Sequence, residues 1–572
     1  MSKNPNMSKL NSKNLDDSKF TTKKIIIILT LTAFASFIVR LFYFPFDLPF
    51  TGDAAGYFWY ANDMAILGNF PSDFASRTGQ EFPNNGWPAF LSVFFSSINS
   101  NEFLDFVNAQ RFIGVTISTL TIIPLYLLIS KFLKKHLAIL ASAVFAFSPR
   151  LIENSLLGTT EAPFLFLIIT SLCLFLSDKY KLILISFALA ALATLVRYEG
   201  LLIIIPFTVM FFFRFRKNNK VIGKYLIALS IFILILLPMG YVRTETTGQD
   251  GLISHIASGP QYYNLVASDS PEENVLLNFL IKGFTFLMQY SVILIIPMFI
   301  IFLPFGIFKF FKNRNENKWT IIIFSLILLI PAFYAYSRGF QDTKYLFILY
   351  PFLCICIGYT FGEIEKKINK QNLFFIVSLI GIVSSSFFFT SLMILDFEHQ
   401  KELYDITDEL NEKISTINRD LRWVGYIMWV NDDLNKNFPI LSKDLSKNTS
   451  TDVIVIGKKS LSSTTPALVH DFNNFEDYLL YGKTQGMEYL VLDGHNLHNQ
   501  MLIHVFENEE EYPFLKKIFE KEIKPTFLKE FKPTFLKEFK NFIFGSIEDD
   551  YPSHVKAFKI DYNEFENIRK NE

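Results

Sequence analysis

Long apolar runs separated by short polar joints fill the first two thirds of the chain. They include Ile25–Val39, Ile113–Ile129, Ala162–Leu176, Leu201–Phe213, Tyr225–Leu237, Val292–Phe308, Ile321–Phe333 and Phe374–Leu392. A helix of about 20 mostly apolar residues crosses the hydrocarbon core, where only a structure that satisfies its own backbone is tolerated. Several runs reach that length with their flanks; Leu137–Phe147 and Leu182–Val196 are shorter. The pattern predicts about eleven helical spans. They fall near residues 24–46, 109–131, 137–156, 160–177, 181–197, 199–214, 222–242, 283–308, 319–336, 345–361 and 372–396. Two long segments, 47–108 and 243–282, interrupt the series, and loops of that length tend to carry function. Ile25–Val39 has no small-residue cleavage site close behind it, so it is expected to stay as a first anchor.

Past Phe397 the hydropathy drops and the periodicity changes. Val453–Ile456 and Tyr489–Leu492 are short apolar runs, ending in Gly457 and in Asp493-Gly494, and Val555–Ile560 alternates as a strand does. Lys401–Leu421 and Asn474–Tyr481 between them read as helices, giving a small soluble α/β domain over 397–572. Pro525–Lys532 is repeated at once as Pro533–Lys540. Two copies are too few for a repeat architecture, so a local duplication is expected.

Charge orders the loops. The net charge is zero, from 54 basic and 54 acidic residues, yet the cations gather in alternate joints. The 1–23 tail and Lys24 carry Lys3, Lys9, Lys13, Lys19, Lys23 and Lys24. Later basic joints hold Lys131, Lys134 and Lys135; Lys179 and Lys181; Arg214, Arg216, Lys217, Lys220 and Lys224; Lys309, Lys312, Arg314 and Lys318; and Lys366, Lys367 and Lys370. Positive loops stay inside, so the chain is expected to be a multi-pass plasma-membrane protein with a cytoplasmic tail and an extracytoplasmic C-terminal domain. The two short runs fit this alternation, because deleting either would break it. Cys173, Cys354 and Cys356 all lie in apolar runs and are expected as small buried side chains rather than a disulfide or metal set.

The sparsely charged face carries residues that membrane anchoring explains poorly. Asp53 follows the first span within Thr51–Tyr57, where helix capping is the competing explanation. Ser148-Pro149-Arg150 and Glu153 precede Thr159-Thr160-Glu161. Arg197-Tyr198-Glu199 is a tight turn, and Arg338, Asp342 and Lys344-Tyr345 stand before the tenth span. Each group alone is an ordinary interfacial anchor. Acids and bases recurring together on one face point instead to a shared polar cavity, and carboxylates beside cations suit deprotonation of an acceptor and release of a phosphate. His495, His498 and His504 near Asp493 are too loosely spaced to indicate a metal site. Asn448-Thr449-Ser450 is a glycosylation sequon on the external side.

The runs GDAAGYFWYANDMAILGNF and RTGQEFPNNGWPAFLSVFF resemble the first external loop of GT-C glycosyltransferases. The branch they resemble most is the family 39-like group of dolichyl-phosphate-mannose mannosyltransferases and ArnT-like enzymes. FSPRLIENSLLGTTEAPFLFL, LATLVRYEGLLIIIPF and SRGFQDTKYLFILYPFL continue the resemblance over residues 24–396. It implies sugar transfer from a polyprenyl- or dolichyl-phosphate-linked donor to a protein, lipid or glycan acceptor, with inversion. No nucleic acid is involved, and the membrane lipids are the surroundings. On this basis Asp53 is the expected base and Glu161 its catalytic partner. Tyr57, Arg77, Trp87, Arg150, Glu153, Arg197, Glu199, Arg338, Lys344 and Tyr345 are the expected substrate contacts. The sequence assigns no cofactor, and a divalent metal ion is left as an open alternative. Two departures stand out: Ala54 replaces a second acid, and Lys344 replaces the commoner Arg, exchanging a bidentate fork for a point charge. An oligosaccharyltransferase-like enzyme and a polytopic transporter are the alternative readings; a transporter would place its ionisable groups at midplane and show internal repeats.

Overall fold

A computed structural model describes residues 21–46, 48, 53–67, 85–100, 103–217, 219–248, 250–254, 275–295, 301–313, 315–368, 370–393, 421–424, 427–430, 474–484, 489–493, 500–523 and 553–571. The chain divides into two compact units. One takes residues 1–44, 83–87 and 109–394; the other takes 45–82, 88–108 and 395–572.

The first unit is all helical, as the apolar pattern predicts. Among the described residues, eight helical segments are long and apolar enough to span a membrane by length and composition. A ninth is added if the bent pair Lys135–Ala146 and Pro149–Ser155 is one span. The expected spans 160–177 and 181–197 are the apolar helices Glu161–Phe175 and Tyr180–Val196, of 15 and 17 residues, shorter than the rest. The protein is therefore a multi-pass membrane protein. Phe175, Phe187 and Phe207 fill one core region, Phe175 stacking on Phe207 at 4.2 Å, and all three cysteines are buried and free.

The bent pair anchors a buried polar network. Its two helices meet at 54° across Phe147 and Ser148, where Pro149, lacking an N–H, starts the second. The break frees the carbonyl of Ala146 deep in the fold. That carbonyl accepts from Ser36 Oγ at 2.9 Å and from Arg40 Nη1 at 2.8 Å. The wholly buried Arg40 also donates to Ser118 Oγ and Ser155 Oγ, both at 3.2 Å. Buried polar groups are kept only when bonded in this way. Ser148 Oγ is 2.6 Å from Tyr350 Oη, tying the break to the start of helix Tyr350–Glu365.

In the second unit the described strands form one sheet: β1 Leu421–Val424, β2 Ile427–Val430, β3 Tyr489–Asp493, β4 Leu515–Ile523 and β5 Ser553–Ile560. Their order is β1-β2-β3-β5-β4, and every pairing is antiparallel. Of the expected α/β class the described residues show the coarser part, a β-containing region with short helices between its strands, and β5 is inserted between β3 and β4. Leu490, Leu492, Phe558 and Ile560 pack on Tyr478, Leu479, Leu502 and Val505 to form its core. The expected helix at 474–481 appears as Phe475–Thr484. The expected strand 453–456, the helix 401–421 and the duplicated segment 525–540 lie outside the described residues, as do His495, His498 and Asn448.

Candidate functional site

Within the membrane unit, the ends of three helical segments converge on a small cleft of about 30 Å³. Its polar lining is Glu161, Arg197, Glu199 and Lys344; Phe164, Pro331 and Tyr345 are among its apolar walls.

Arg197 stands where helix Tyr180–Val196 ends. Its backbone is extended, and the chain turns at once into the 3-10 helix Tyr198–Ile203. Gly200 makes this turn possible, since a Cβ there would lie 2.7 Å from the backbone nitrogen of Thr194. The turn brings Glu199 back onto Arg197: Nη2 donates to Glu199 Oε1 at 2.7 Å, and Nε to the same oxygen at 3.3 Å. The other edge of the guanidinium reaches the neighbouring helix start. There Nη1 donates to Glu161 Oε1 and, at 3.3 Å, to Thr160 Oγ1. The guanidinium carbon also lies 5.8 Å from the centre of the Phe164 ring. One planar fork thus holds two carboxylates from different helices, a geometry that Arg provides and Lys does not. Glu161 is buried, and its second oxygen, Oε2, makes no hydrogen bond among the described residues.

Lys344 enters from the 3-10 helix Thr343–Leu349. Asp342 caps that helix by accepting from the Lys344 N–H at 2.8 Å, and its other oxygen is 3.4 Å from Lys344 Nζ. The preceding turn is closed by Gly339 at φ +97°, a left-handed conformation suited to glycine. Arg338, one residue earlier, lies with its guanidinium carbon 5.8 Å from the Tyr334 ring centre and 5.1 Å from that of Phe340. Below the turn Tyr336 is wholly buried, donates to the Asp342 carbonyl at 2.8 Å and stacks on Tyr290 at 5.4 Å. Tyr345 meets Tyr336 edge-on at 5.9 Å.

The structure therefore brings Glu161, Arg197, Glu199, Lys344 and Tyr345 together. Arg150 and Glu153 pair with each other at 3.4 Å on the short helix Pro149–Ser155 and are not in the cleft lining. Trp87 is wholly buried, with its indole N–H on the Gly158 carbonyl at 3.2 Å, so it has no ring face open to a sugar. Asp53 and the half-buried Tyr57 belong to the second unit, where Asp53 begins helix Asp53–Leu67 and is exposed. Arg77 lies outside the described residues. Sequence reasoning missed Lys282, whose Nζ would stand 2.8 Å from a Cβ on Gly339, placing a further cation beside Arg338. A lysine at the edge of a predicted span looks like an ordinary flank. It also missed Tyr336 and Tyr290, whose run of aromatic residues looks like any apolar helix.

Among the described residues no three His, Cys, Asp or Glu side chains stand close enough to hold a metal ion. The two carboxylates of the cleft are both engaged by Arg197, a donor set that does not fit a divalent ion.

Residues 89–242 match the family described as dolichyl-phosphate-mannose-protein mannosyltransferase. In three dimensions the chain is similar to the apo oligosaccharyltransferase of Archaeoglobus fulgidus, with a TM-score of 0.53 and 11% identity over 95% of this chain and 89% of that one. The same enzyme complexed with zinc and sulfate aligns over 64% of this chain and 53% of that chain, at 14% identity and a TM-score of 0.45. ArnT from Cupriavidus metallidurans bound to undecaprenyl phosphate aligns over 81% of this chain and 88% of that chain, at 11% identity and a TM-score of 0.46. Against the zinc- and sulfate-bound structure, and against the same enzyme tethered to an acceptor peptide, this chain spans about half of the length it is matched to, 53% and 56%. Identities this low speak for the fold alone. No curated protein is significantly similar to the chain in sequence. The family match falls on the helices that carry Glu161 and Arg197, and the fold is similar to that of the apo archaeal oligosaccharyltransferase along nearly the whole chain.

Proposed function

We propose that the protein transfers a sugar from a polyprenyl- or dolichyl-phosphate-linked donor to an acceptor on the extracytoplasmic face, with inversion at the anomeric carbon. The single observation that carries this reading is the cleft, in which Arg197 holds two carboxylates while Lys344 stands opposite as a second cation. A leaving lipid phosphate needs fixed positive charge where its own charge develops, in a site that excludes water. Lys344 supplies it as a point charge, with Arg338 on the adjoining turn and Lys282 reaching that turn from helix Val275–Ile295. Asp53 serves as base toward the acceptor hydroxyl, and the acceptor oxygen attacks the anomeric carbon as the phosphate leaves on the opposite side. The eleven-span topology with an internal N-terminus belongs to the same reading, because it puts these helix ends on the sparsely charged face.

An oligosaccharyltransferase-like enzyme is the second reading, favoured by the fold shared with the archaeal oligosaccharyltransferase over 95% of this chain. The two differ in whether the donor carries one sugar or a lipid-linked oligosaccharide. Purified protein incubated with a panel of radiolabelled lipid-phosphate sugars and membrane extract separates them. Label moving from a lipid monophosphate sugar supports the first reading and label moving only from an oligosaccharide donor supports the second. No transfer from any donor, by protein that is folded and inserted, overturns both.

A further inference from the structure

A second cavity opens away from the cleft, between the first helix, Thr22–Phe42, and the last described helix of the membrane unit, Gln371–Met393. The two meet at their C-terminal ends. Tyr43 Oη donates to the Phe387 carbonyl at 3.1 Å, and the Phe42 and Phe387 rings are 5.4 Å apart. Toward their N-terminal ends they part, leaving a groove of about 740 Å³. Lys24 and Asn372 line it at the open end, Leu31 and Leu379 along the walls, and Ala35, Val383 and Phe147 at the closed end.

Depth and charge together identify an occupant. From Lys24 to Ala35, and from Asn372 to Val383, the helices rise about 16 Å. That is about half the thickness of the hydrocarbon core, the depth of one leaflet. The walls are apolar along that depth apart from Thr32, whose hydroxyl donates to the Ile28 carbonyl at 2.7 Å, while the mouth holds one ammonium and one amide and, among the described residues, no carboxylate. With the N-terminus inside, as the loop charges indicate, the mouth opens at the cytoplasmic surface, where anionic lipids gather. The residues ahead of the first helix are rich in Lys, Ser and Asn, so the chain's own tail is a poor match for an apolar groove.

We propose that this groove is a binding site for an anionic diacyl phospholipid of the cytoplasmic leaflet. Its phosphate lies against Lys24 and Asn372, and one acyl chain follows the groove to Phe147. The site stands at the opposite helix ends from the sugar-transfer cleft and does not depend on what that cleft catalyses.

The test uses the full-length protein in phosphatidylcholine nanodiscs doped with phosphatidylglycerol that carries a diazirine near the end of one acyl chain. After photolysis the labelled residues are mapped by mass spectrometry. Label should concentrate on the peptides containing Ala35 and Val383, and a matched phosphatidylcholine probe should label them less. K24Q should lower that labelling about fivefold, the effect expected of one interfacial lysine. K24R should keep it, and K23Q, which removes the same charge one residue outside the groove, should leave it unchanged. L379W, which fills the groove and keeps the charge, should block it. Equal labelling by both probes, or equal loss in K23Q and K24Q, would overturn the proposal, and so would labelling that survives L379W.

Discussion

Replacing Arg197 by Gln tests the cleft most directly. In the native structure the guanidinium satisfies Glu161 and Glu199 at once, with side-chain exposures of 15% for Arg197, 5% for Glu161 and 15% for Glu199. These groups are buried enough that solvent screening is modest. Removing one member of a buried ion pair costs about 3–5 kcal/mol, because the surviving charge is left uncompensated. Lys344 offsets part of that for Glu161, so about 3 kcal/mol is expected for R197Q. E161Q alone removes one charge-assisted bond, worth about 1.5–3 kcal/mol. In the double variant no buried Glu161 carboxylate remains to be stranded, so the two losses should fall short of additivity by about 1–3 kcal/mol. R197K keeps the charge but cannot face both carboxylates with a planar fork, and should lie between wild type and R197Q. Equilibrium unfolding in mixed micelles, followed by tryptophan fluorescence of wild type, R197Q, E161Q and the double variant, measures this coupling. Strict additivity of R197Q and E161Q would refute the shared fork.

Three further outcomes rest on particular contacts. G200A must push a Cβ against the Thr194 backbone 2.7 Å away, so it should destabilise by about 1–3 kcal/mol and reduce transfer, read by the same unfolding and by label movement. W87F should cost about 1 kcal/mol for the lost indole bond to Gly158, whose carbonyl keeps Gln110 at 2.7 Å, and should leave the acceptor KM unchanged; a raised KM would show that the ring stacks on sugar after all. In the second unit, burial alone would raise the Glu509 pKa, but Lys517 at 2.6 Å and Lys556 at 3.3 Å hold it below its usual value near 4.5. A depressed carboxylate stabilises the fold above its unfolded pKa and loses that contribution as pH falls through the folded one. Acid titration of the sheet's circular dichroism should therefore show a transition below about pH 4.5 that E509Q weakens.

Apolar periodicity and loop charge made the membrane helices legible, because in lipid each helix answers to its own sequence alone. The alternation of basic joints also anticipated that Glu161, Arg197 and Lys344 would share a face. What it could not show is the break at Phe147 and Ser148. That break depends on Arg40 and Ser36, far away in sequence, to satisfy the freed Ala146 carbonyl. The sheet was partly legible for a related reason. Strands near 489–492 and 555–560 announce themselves by local pattern. Their antiparallel pairing, and the insertion of β5 between β3 and β4, are settled by contacts that no local window contains. Arg197 and Glu161 lie 36 residues apart, so their single fork was invisible as well.

That fork also divides the work among the acids. A carboxylate whose oxygen already accepts from a guanidinium is not positioned to take a proton from an acceptor hydroxyl unless that bond opens. Glu161 and Glu199 are both held in this way by Arg197, and Asp53 begins a different helix, Asp53–Leu67. The acids of the cleft are therefore better suited to fixing Arg197 and Lys344 for the donor phosphate, with Glu161 Oε2 left to orient a donor or acceptor hydroxyl. Kinetics separate the two roles. Loss of a general base removes about 10²–10⁴ from turnover, so D53N should lower kcat on that scale with the donor KM nearly unchanged. E161Q should instead raise the donor KM, by loosening Arg197 and the charges around it, and E161D should restore part of the affinity. The opposite pattern, with kcat lost in E161Q and retained in D53N, would move the base into the cleft and require Glu161 to leave Arg197 when substrate binds.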